Sequence, residues 1–338
     1  MSQKHILGVS LLTVVLNAAF ALPLAKAQDH TVKLDVVVRD GADNPVAGLK
    51  QTDFLVSDNG SAQALSSFAD VSQDKTPPTV VLVFDLINNS EIYATLLREQ
   101  LTKVLLQNGG KLKYPTLLIV ATPTDFISSQ TPTTNGNALA RALAQVPVGP
   151  NVNERLTGEA GALHRENIST KALNETLGST GKLPGRKLIF WLSHGWGLMG
   201  GLPVTPGQEK ELFSAVKQYS SGMRQARITL YKLNTQGASA SVNSLQEYRQ
   251  FLKGVNALNQ TDFADMSLDV IATQSGGLVL NSNDLAVMYD RCLKDADGHY
   301  EIEFPEGAAT KNVAFHEVQV RVNRPGAAAR TRNGYYPQ

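Results

Sequence analysis

One apolar strand that ends in a single carboxylate constrains the fold of this chain more than any other feature. Residues 80–84 are five consecutive apolar side chains, and Asp85, a polar turn and a helical pattern follow them. A continuous β-branched run of this length is typical of a strand covered on both faces, as in the mainly parallel sheets of α/β proteins. Such open sheets bind ligands at the carboxyl ends of their strands. The sequence therefore predicts a functional edge around Asp85.

The patterns on either side of this strand predict that one domain is inserted into another. From residue 79 to about residue 293, strand patterns alternate with helical ones, which indicates a doubly wound sheet with helices on both faces. Residues 28–75 and 297–338 show short alternating strands without helices, and neither segment is long enough to close a core by itself. We therefore predict an α/β domain at 76–296, inserted into a small split β domain formed by 28–75 and 297–338.

Periodicity and turn residues predict where the elements of the α/β domain lie. The predicted helices span 91–107, 137–145, 207–225, 244–258, 266–274 and 283–293. The strands predicted to join the first one span 116–121, 187–193, 228–233 and 278–280. The stretch 147–180 is polar and weakly patterned, so we expect a long loop there with one helix near 169–177.

The first 27 residues have the layout of a secretory signal peptide. A basic start precedes an apolar stretch at 6–24, and Ala-Lys-Ala at 25–27 provides a small-x-small cleavage site. The apolar stretch is also long enough for a membrane anchor, but Pro23 and the Ala-Lys-Ala ending favour cleavage before Gln28. We expect an exported protein, periplasmic or extracellular, without a membrane span after cleavage.

Charge and cysteine content argue against nucleic-acid binding and against stabilisation by a disulfide. Cleavage removes two lysines and no acid, which leaves 29 basic and 30 acidic side chains and a net charge of −1. A near-neutral chain without a basic block has no footprint for nucleic acid. Cys292 is the only cysteine, so an intramolecular disulfide is excluded. Its helical surroundings predict a small core residue rather than a nucleophile.

Several short motifs occur along the chain in an ordered series. They read KLDVVVRD at 33–40, VAGLKQTDF at 46–54, TVVLVFDLINNS at 79–90, LPGRKLIFWLS at 183–193, IATQSGG at 271–277 and RNGYY at 332–336. In this order they resemble the bacterial exported proteins with a VWFA-related domain, whose fold is like that of von Willebrand factor type A (vWA) domains. The resemblance implies a vWA-like fold and export, and it implies no established catalytic activity.

The resemblance also implies a metal site, which this chain carries in degenerate form. In vWA domains the first strand ends in D-x-S-x-S, and those side chains help to hold Mg²⁺ or Mn²⁺. Here Asp85 is followed by Ile87 and Asn89 at the serine positions, and His194 stands where an acid is usual. Isoleucine offers no oxygen to a hard cation. We therefore expect no cofactor, and at most a weakly bound divalent metal at Asp85 and Asn89, with Asp85 as a helix cap in the alternative. The family's threonine ligand corresponds to Thr131, Thr134 or Thr170.

A glycine-rich stretch follows the strand predicted at 187–193. It matches G-x-G-x-x-G at 195–200, but Pro203 and Pro206 separate it from the next helix, so we interpret the match to a dinucleotide fingerprint as accidental. Its apolar side chains, Trp196, Leu198 and Met199, would offer a partner protein an exposed contact. In the alternative, Trp196 folds back onto the sheet.

The motifs of hydrolases are absent from the sequence. There is no G-x-S-x-G elbow, and Ser193 and His194 are strand neighbours that point to opposite faces. We therefore expect a non-enzymatic binding or scaffold protein that mediates protein–protein interaction or adhesion in the bacterial envelope. The predicted partner-binding edge consists of Asp85, Asn88, Asn89, Ser90, Ser193, His194, Trp196, Leu198 and Met199. The alternative is a metal-dependent hydrolase with a non-standard site at Asp85 and His194.

Overall fold

Three β-sheets and six α-helices make up the part of the chain that the computed structural model describes, which is residues 31–71, 77–129, 131–149, 158–196, 203–237, 248–307 and 314–337. The strands are β1 (Thr31–Arg39), β2 (Phe54–Asp58), β3 (Ser61–Gln63), β4 (Ser67–Asp70), β5 (Thr79–Asp85), β6 (Lys111–Ala121), β7 (Phe126–Ser128), β8 (Thr133–Asn135), β9 (Lys187–Leu192), β10 (Ile228–Asn234), β11 (Val279–Asn281), β12 (Tyr300–Pro305), β13 (His316–Val322), β14 (Ala328–Arg330) and β15 (Gly334–Tyr335). The helices are α1 (Glu91–Leu106), α2 (Gly136–Ala144), α3 (Gly158–Thr180), α4 (Pro206–Gln225), α5 (Leu268–Gln274) and α6 (Leu285–Asp297).

The central sheet has seven strands and is mostly parallel. Its order is β11-β10-β9-β5-β6-β7, and β8 also pairs with β6. Strands β5, β6, β9, β10 and β11 run parallel, whereas β7 and β8 are antiparallel to β6. The prediction of a mixed α/β fold with a mainly parallel sheet is therefore confirmed.

Helices cover both faces of this sheet, which explains the unbroken apolar run of β5. Successive side chains of a strand point to opposite faces. Val81 and Val83 pack in a core cluster with apolar residues of α3, α4 and α5, while Val80 and Leu82 pack in a second cluster with residues of α1, α2 and α6. Burial of each such side chain stabilises the fold by about 1.5–3 kcal/mol, so neither face tolerates a polar residue in mid-strand.

The connections of β5 place a crevice at its carboxyl end. From β5 the chain passes through α1 to β6 on one side, and it later returns to β9 on the other side of β5. The order of the sheet therefore reverses between β5 and β9. In open α/β sheets the ligand crevice lies at such a switch point, outside the carboxyl ends of the strands.

The two ends of the chain pair with each other in a second layer of structure. Strand β1 pairs antiparallel with β12, and β2 pairs antiparallel with β13. The resulting sheets, β14-β1-β12-β4 and β15-β13-β2-β3, share one apolar core that includes Leu34, Val56, Tyr300 and Phe304. Pairing of the terminal segments is thus observed, while the boundaries 28–75, 76–296 and 297–338 stay predictions.

A buried carboxylate joins this β layer to the central α/β layer. Asp295 on α6 is fully buried and accepts hydrogen bonds from Arg39 Nη2 at 2.7 Å, Tyr231 Oη at 2.7 Å and Arg330. Burial by itself raises the pKa of Asp295, but Arg330, Arg39 and Tyr231 hold the pKa below its ordinary value. Asp295 is therefore ionised near neutral pH and links strands β1, β10 and β14.

The structure also corrects two predictions about local elements and adds two strands. The helix expected near 169–177 is present, but it is part of the 23-residue helix α3, so the loop expected around it is wrong for 158–168 and 178–180. Its sequence is only weakly amphipathic, so periodicity provided little signal. The helix expected at 244–258 is wrong within the described residues 248–258, where Arg249–Lys253 forms a short 3-10 turn. The three-residue strands β7 and β8 were not expected.

Across the described ranges, no helix combines the length and the apolar character that a membrane crossing requires.

Candidate functional site: the carboxyl edge of the central sheet

Asp85 is the centre of a hydrogen-bond network at the switch point. Its side chain is fully buried. The Oδ1 atom accepts the backbone N–H groups of Ile87 at 2.8 Å and Asn88 at 3.0 Å. The Oδ2 atom accepts the side-chain amide of Asn88 at 2.9 Å and the indole N–H of Trp191 at 2.9 Å. A carboxylate has about four acceptor sites, so these four donors saturate it.

The two asparagines extend this network to neighbouring elements. The amide nitrogen of Asn88 also donates to Ser169 Oγ on α3 at 2.9 Å. The amide nitrogen of Asn89 donates to the carbonyl oxygens of Asp85 at 2.8 Å and Leu192 at 3.1 Å, which ties the end of β5 to the end of β9. Both asparagines are buried, so their role here is to fix the shape of the edge.

Ser90 begins helix α1. Its hydroxyl oxygen accepts the backbone N–H of Tyr93 at 3.4 Å, the position of an N-cap. The alternative in which Asp85 caps this helix is therefore wrong, because the two N–H groups that Asp85 Oδ1 accepts belong to the turn before the helix.

The loop after β9 divides into a buried part and an exposed part. Ser193 is buried, and its Oγ accepts the backbone N–H of Gly195 at 2.8 Å. Gly195 has φ +83°, a left-handed conformation that favours glycine. His194 is exposed, and its Nδ1 lies 3.2 Å from Gln236 Nε2. Partial removal from water lowers the pKa of His194, and Lys232 lowers it further, while Asp85 acts in the opposite direction.

Trp196 folds back onto the sheet, which was the alternative to an exposed contact for a partner, and its side chain is buried. Its indole N–H donates to the carbonyl oxygen of Met266 at 2.7 Å, and its ring meets that of Trp191 edge to face at 5.5 Å. Only 5% of its surface is exposed. Leu198 and Met199, the other apolar residues of the predicted edge, lie outside the described residues.

The residues at the degenerate motif do not fit a divalent cation. A metal bound by Asp85 would have to displace N–H donors, and the buried Trp191 indole would then lack an acceptor, at a cost of about 1–3 kcal/mol. Ile87, at a serine position of the motif, is buried and has no oxygen to offer. Asn89 already points its amide nitrogen at two carbonyl groups. Of the candidate threonines, Thr131 and Thr134 are exposed and Thr170 is buried on α3.

A different group, Asp35, His299 and Glu301, places its potential ligand atoms within 4.8 Å of one another. The side chains of Arg227 and Lys33 already neutralise this group: Arg227 forms ion pairs with Asp35 and Glu301, and Lys33 Nζ lies 2.6 Å from Glu301 Oε2. It serves as an ion-pair network between β1, β12 and the end of α4 rather than as a metal centre.

A buried ion pair behind the glycine loop was missed by the reasoning from sequence. Lys232 on β10 and Asp269 on α5 are both buried, and the Lys232 Nζ to Asp269 Oδ1 distance is 2.5 Å. The side-chain Cε of Lys232 lies 3.5 Å from the position that a Gly195 side chain would occupy. A lysine inside the apolar strand ITLYKLN was the available signal, since buried lysine almost always has a partner.

Exposed apolar side chains lie on the first turns of α1, next to this edge. Ile92 is 73% exposed, Tyr93 42% and Leu96 48%, and we call these three residues the α1 patch. The opposite side of the helix packs on the sheet through Leu97 and Leu101. The sequence predicted the helix but not the patch, because apolar residues occur on both sides of α1 and only tertiary packing shows which side is covered.

Comparisons with known proteins do not place this chain in a family. No protein-family model and no curated protein matches it. Weakly similar solved structures include proximal thread matrix protein 1 from the mussel byssus (10% identity, TM-score 0.32, 68% of this chain and 50% of that one). They also include the human COPII-coat protein Sec24c (10%, 0.30, 78% and 44%) and the pilus adhesin SpaC from Lactobacillus rhamnosus GG in its open conformation (11%, 0.31, 88% and 48%). This chain spans about half the length of each, and similarity at this level carries no argument about function.

Proposed function

We propose that this protein is an exported, non-enzymatic binding protein of the bacterial envelope, and that a protein partner docks at the carboxyl edge of its central sheet. The α1 patch carries the proposal, because it exposes three large apolar side chains beside the switch point where α/β sheets bind ligands. Export is supported by the layout of residues 1–27 and by the resemblance to VWFA-related proteins.

The geometry of the polar residues supports binding over chemistry. Asp85 uses both carboxylate oxygens within the protein, so it has no acceptor left to serve as a general base. The Ser193 hydroxyl is buried, whereas the neighbouring His194 ring is exposed and contacts Gln236. This arrangement counts against the alternative of a metal-dependent hydrolase at Asp85 and His194.

The proposed docking surface differs in one respect from the edge predicted from sequence. Five of its predicted residues are buried and would hold the edge in shape without contacting the partner: Asp85, Asn88, Asn89, Ser193 and Trp196. Direct contacts would come from His194, Ser90 and the α1 patch, while Leu198 and Met199 stay predictions. Burial of one exposed aliphatic side chain contributes about 1–2 kcal/mol, so loss of two should weaken the affinity for the partner by about thirty- to a thousandfold.

Site-specific crosslinking tests this surface. A photo-crosslinking amino acid at position 92 or 96 should capture an envelope protein in the producing cell, and the same amino acid at position 106 should not. Leu106 is the matched control, because it lies at the other end of α1 and is 45% exposed.

Purified partner and the double variant Ile92→Ser/Leu96→Ser then provide the affinity measurement, with Leu106→Ser as control. Equal affinity of wild type and double variant would refute this docking surface. Asp85 and Trp196 are unsuitable for such a test, since substitution of a buried residue would disturb the fold as well as the surface.

A further inference from the structure

A pocket lies between helices α3 and α4, on the other face of the central sheet from α1. The space along its walls, counted together with the open solvent at its mouth, is about 450 Å³. Its walls are largely apolar and include Leu163 on α3, Leu212 on α4, and Phe263 and Met266 on the 3-10 turn Phe263–Met266. A pocket of this character takes a small ligand with an apolar body.

Glu166 on α3 is a buried acid in this apolar pocket. Its side chain is only 9% exposed, and its Oε2 atom has no hydrogen-bond partner within the described part of the chain. A buried ionised carboxylate without a partner is costly, and the group responds by staying protonated. Burial, together with the nearby charge of Asp262, raises the pKa of Glu166 to about 8.

The charges around the pocket are all of one sign. Glu211 on α4 lies at the exposed rim of the pocket. Asp262 directly precedes the 3-10 turn Phe263–Met266, and Asp265 lies within it. Burial and the charge of Asp262 also raise the pKa of Asp265, to about 7. No lysine, arginine or histidine lines the pocket in the described ranges. On the same helix, Arg165 exerts its charge on His194 at the sheet edge.

These features select one class of ligand. An anion would face the acids Glu166 and Glu211 with no cationic side chain in the described lining to balance them, and a neutral apolar molecule would leave the Glu166 carboxyl without a partner. A hard divalent cation prefers several charged oxygen ligands, whereas Glu166 is the one buried carboxyl in the described lining, Glu211 lies on the exposed rim, and the other polar walls are the neutral Asn167, Thr170 and Gln208. An organic ammonium ion supplies both the missing charge and the missing donors.

We propose that the pocket binds a small organic amine, whose ammonium group pairs with Glu166 and whose apolar part packs against Leu212, Phe263 and Met266. Because Glu166 is protonated in the free protein and ionised in the complex, binding releases one proton: the carboxylic acid and the ammonium ion form an ion pair, and the proton passes to the buffer. This inference does not depend on partner docking at the α1 patch.

Calorimetry with benzylamine as the probe tests the proposal on the full mature chain. Titrations at pH 7 in phosphate and in HEPES, which differ in ionisation enthalpy, count the protons released. We expect about 0.9 proton per amine, since an acid with a pKa near 8 is about nine-tenths protonated at pH 7. The affinity should rise about fiftyfold from pH 6 to pH 8 as the ionised fraction of Glu166 grows.

Three controls make the result specific. Glu166→Gln should bind benzylamine at least tenfold more weakly and without proton release, while Glu175→Gln, an exposed acid on the same helix, should match wild type. Benzyl alcohol, a neutral probe of similar shape, should bind weakly and release no proton.

Absence of benzylamine binding at millimolar concentration would overturn the proposal. So would binding by wild type that is independent of pH, or equal binding by Glu166→Gln. The wild-type pH dependence keeps the test decisive even if the variant folds poorly.

Discussion

Substitution of Asp85 by asparagine should destabilise the fold severely, even though the two side chains have the same shape. In wild type, each carboxylate oxygen of Asp85 accepts two N–H donors. In the Asp85→Asn variant one of those atoms becomes an NH₂ group, so either the Asn88 amide and the Trp191 indole or two backbone N–H groups would face another donor. Two buried hydrogen bonds are lost, whichever way the amide turns.

The expected loss follows from the worth of these bonds. A hydrogen bond to a charged group contributes about 1.5–3 kcal/mol, so loss of two should lower the free energy of unfolding by about 3–6 kcal/mol. Trp191→Phe removes only one donor and should cost about 2–3 kcal/mol. Typical domains have about 5–15 kcal/mol in total, so both effects are large.

Urea denaturation at pH 7, followed by circular dichroism, measures the difference. Asp125→Asn is the matched control, because Asp125 is an exposed acid of the same α/β layer and its substitution should change stability by less than about 0.5 kcal/mol. Addition of EDTA should leave the wild-type curve unchanged.

An Asp85→Asn variant within about 1 kcal/mol of wild type would refute the saturated-carboxylate reasoning. A wild-type stability that falls on addition of EDTA, and does so only while Asp85 is present, would restore Asp85 as a metal ligand.

Three further outcomes are expected. Asp295→Asn should lower the free energy of unfolding by about 3–5 kcal/mol, because it leaves Arg39 and Arg330 without their carboxylate. Since the pKa of Asp295 is lowered in the folded state, wild type should lose the stability contributed by ionised Asp295 as pH falls through that folded pKa. Melting temperatures recorded over an acid pH series measure this loss. The pKa of Glu166 is raised to about 8 in the folded state, so the stability that protonated Glu166 contributes is complete below an unfolded pKa of about 4.5 and is lost as pH rises through about 8. At pH 8 the free energy of unfolding of Glu166→Gln, measured by urea denaturation, should therefore exceed that of wild type by a few kcal/mol. Equal stability would contradict the burial of that acid. Gly277→Ala should prevent normal folding, because its Cβ would overlap the Leu230 carbonyl oxygen, whereas Gly207→Ala, with open space around it, should express and melt like wild type.

Local sequence determined the elements whose signal lies within a few residues. The run 80–84 is apolar at every position, and only a strand covered on both faces can bury all of it. The starts of α1 and α4 are also local, because the hydroxyls of the N-cap residues Ser90 and Thr205 accept an orphan N–H of the first turn. The pairing of the two terminal segments was also predictable, since neither could cover its apolar face alone.

Tertiary structure decided everything that depends on residues distant in the chain. One of the four N–H donors to Asp85 comes from Trp191, 106 positions away, and no local pattern specifies that contact. Trp196 is buried because Met266 supplies an acceptor and Trp191 a packing surface. Glu166 looks like an ordinary helix-surface acid in sequence, and it becomes a buried one only because α4 and the turn Phe263–Met266 close over it. Periodicity determines which side chains share a face, whereas burial and hydrogen-bond partners depend on which distant elements cover that face.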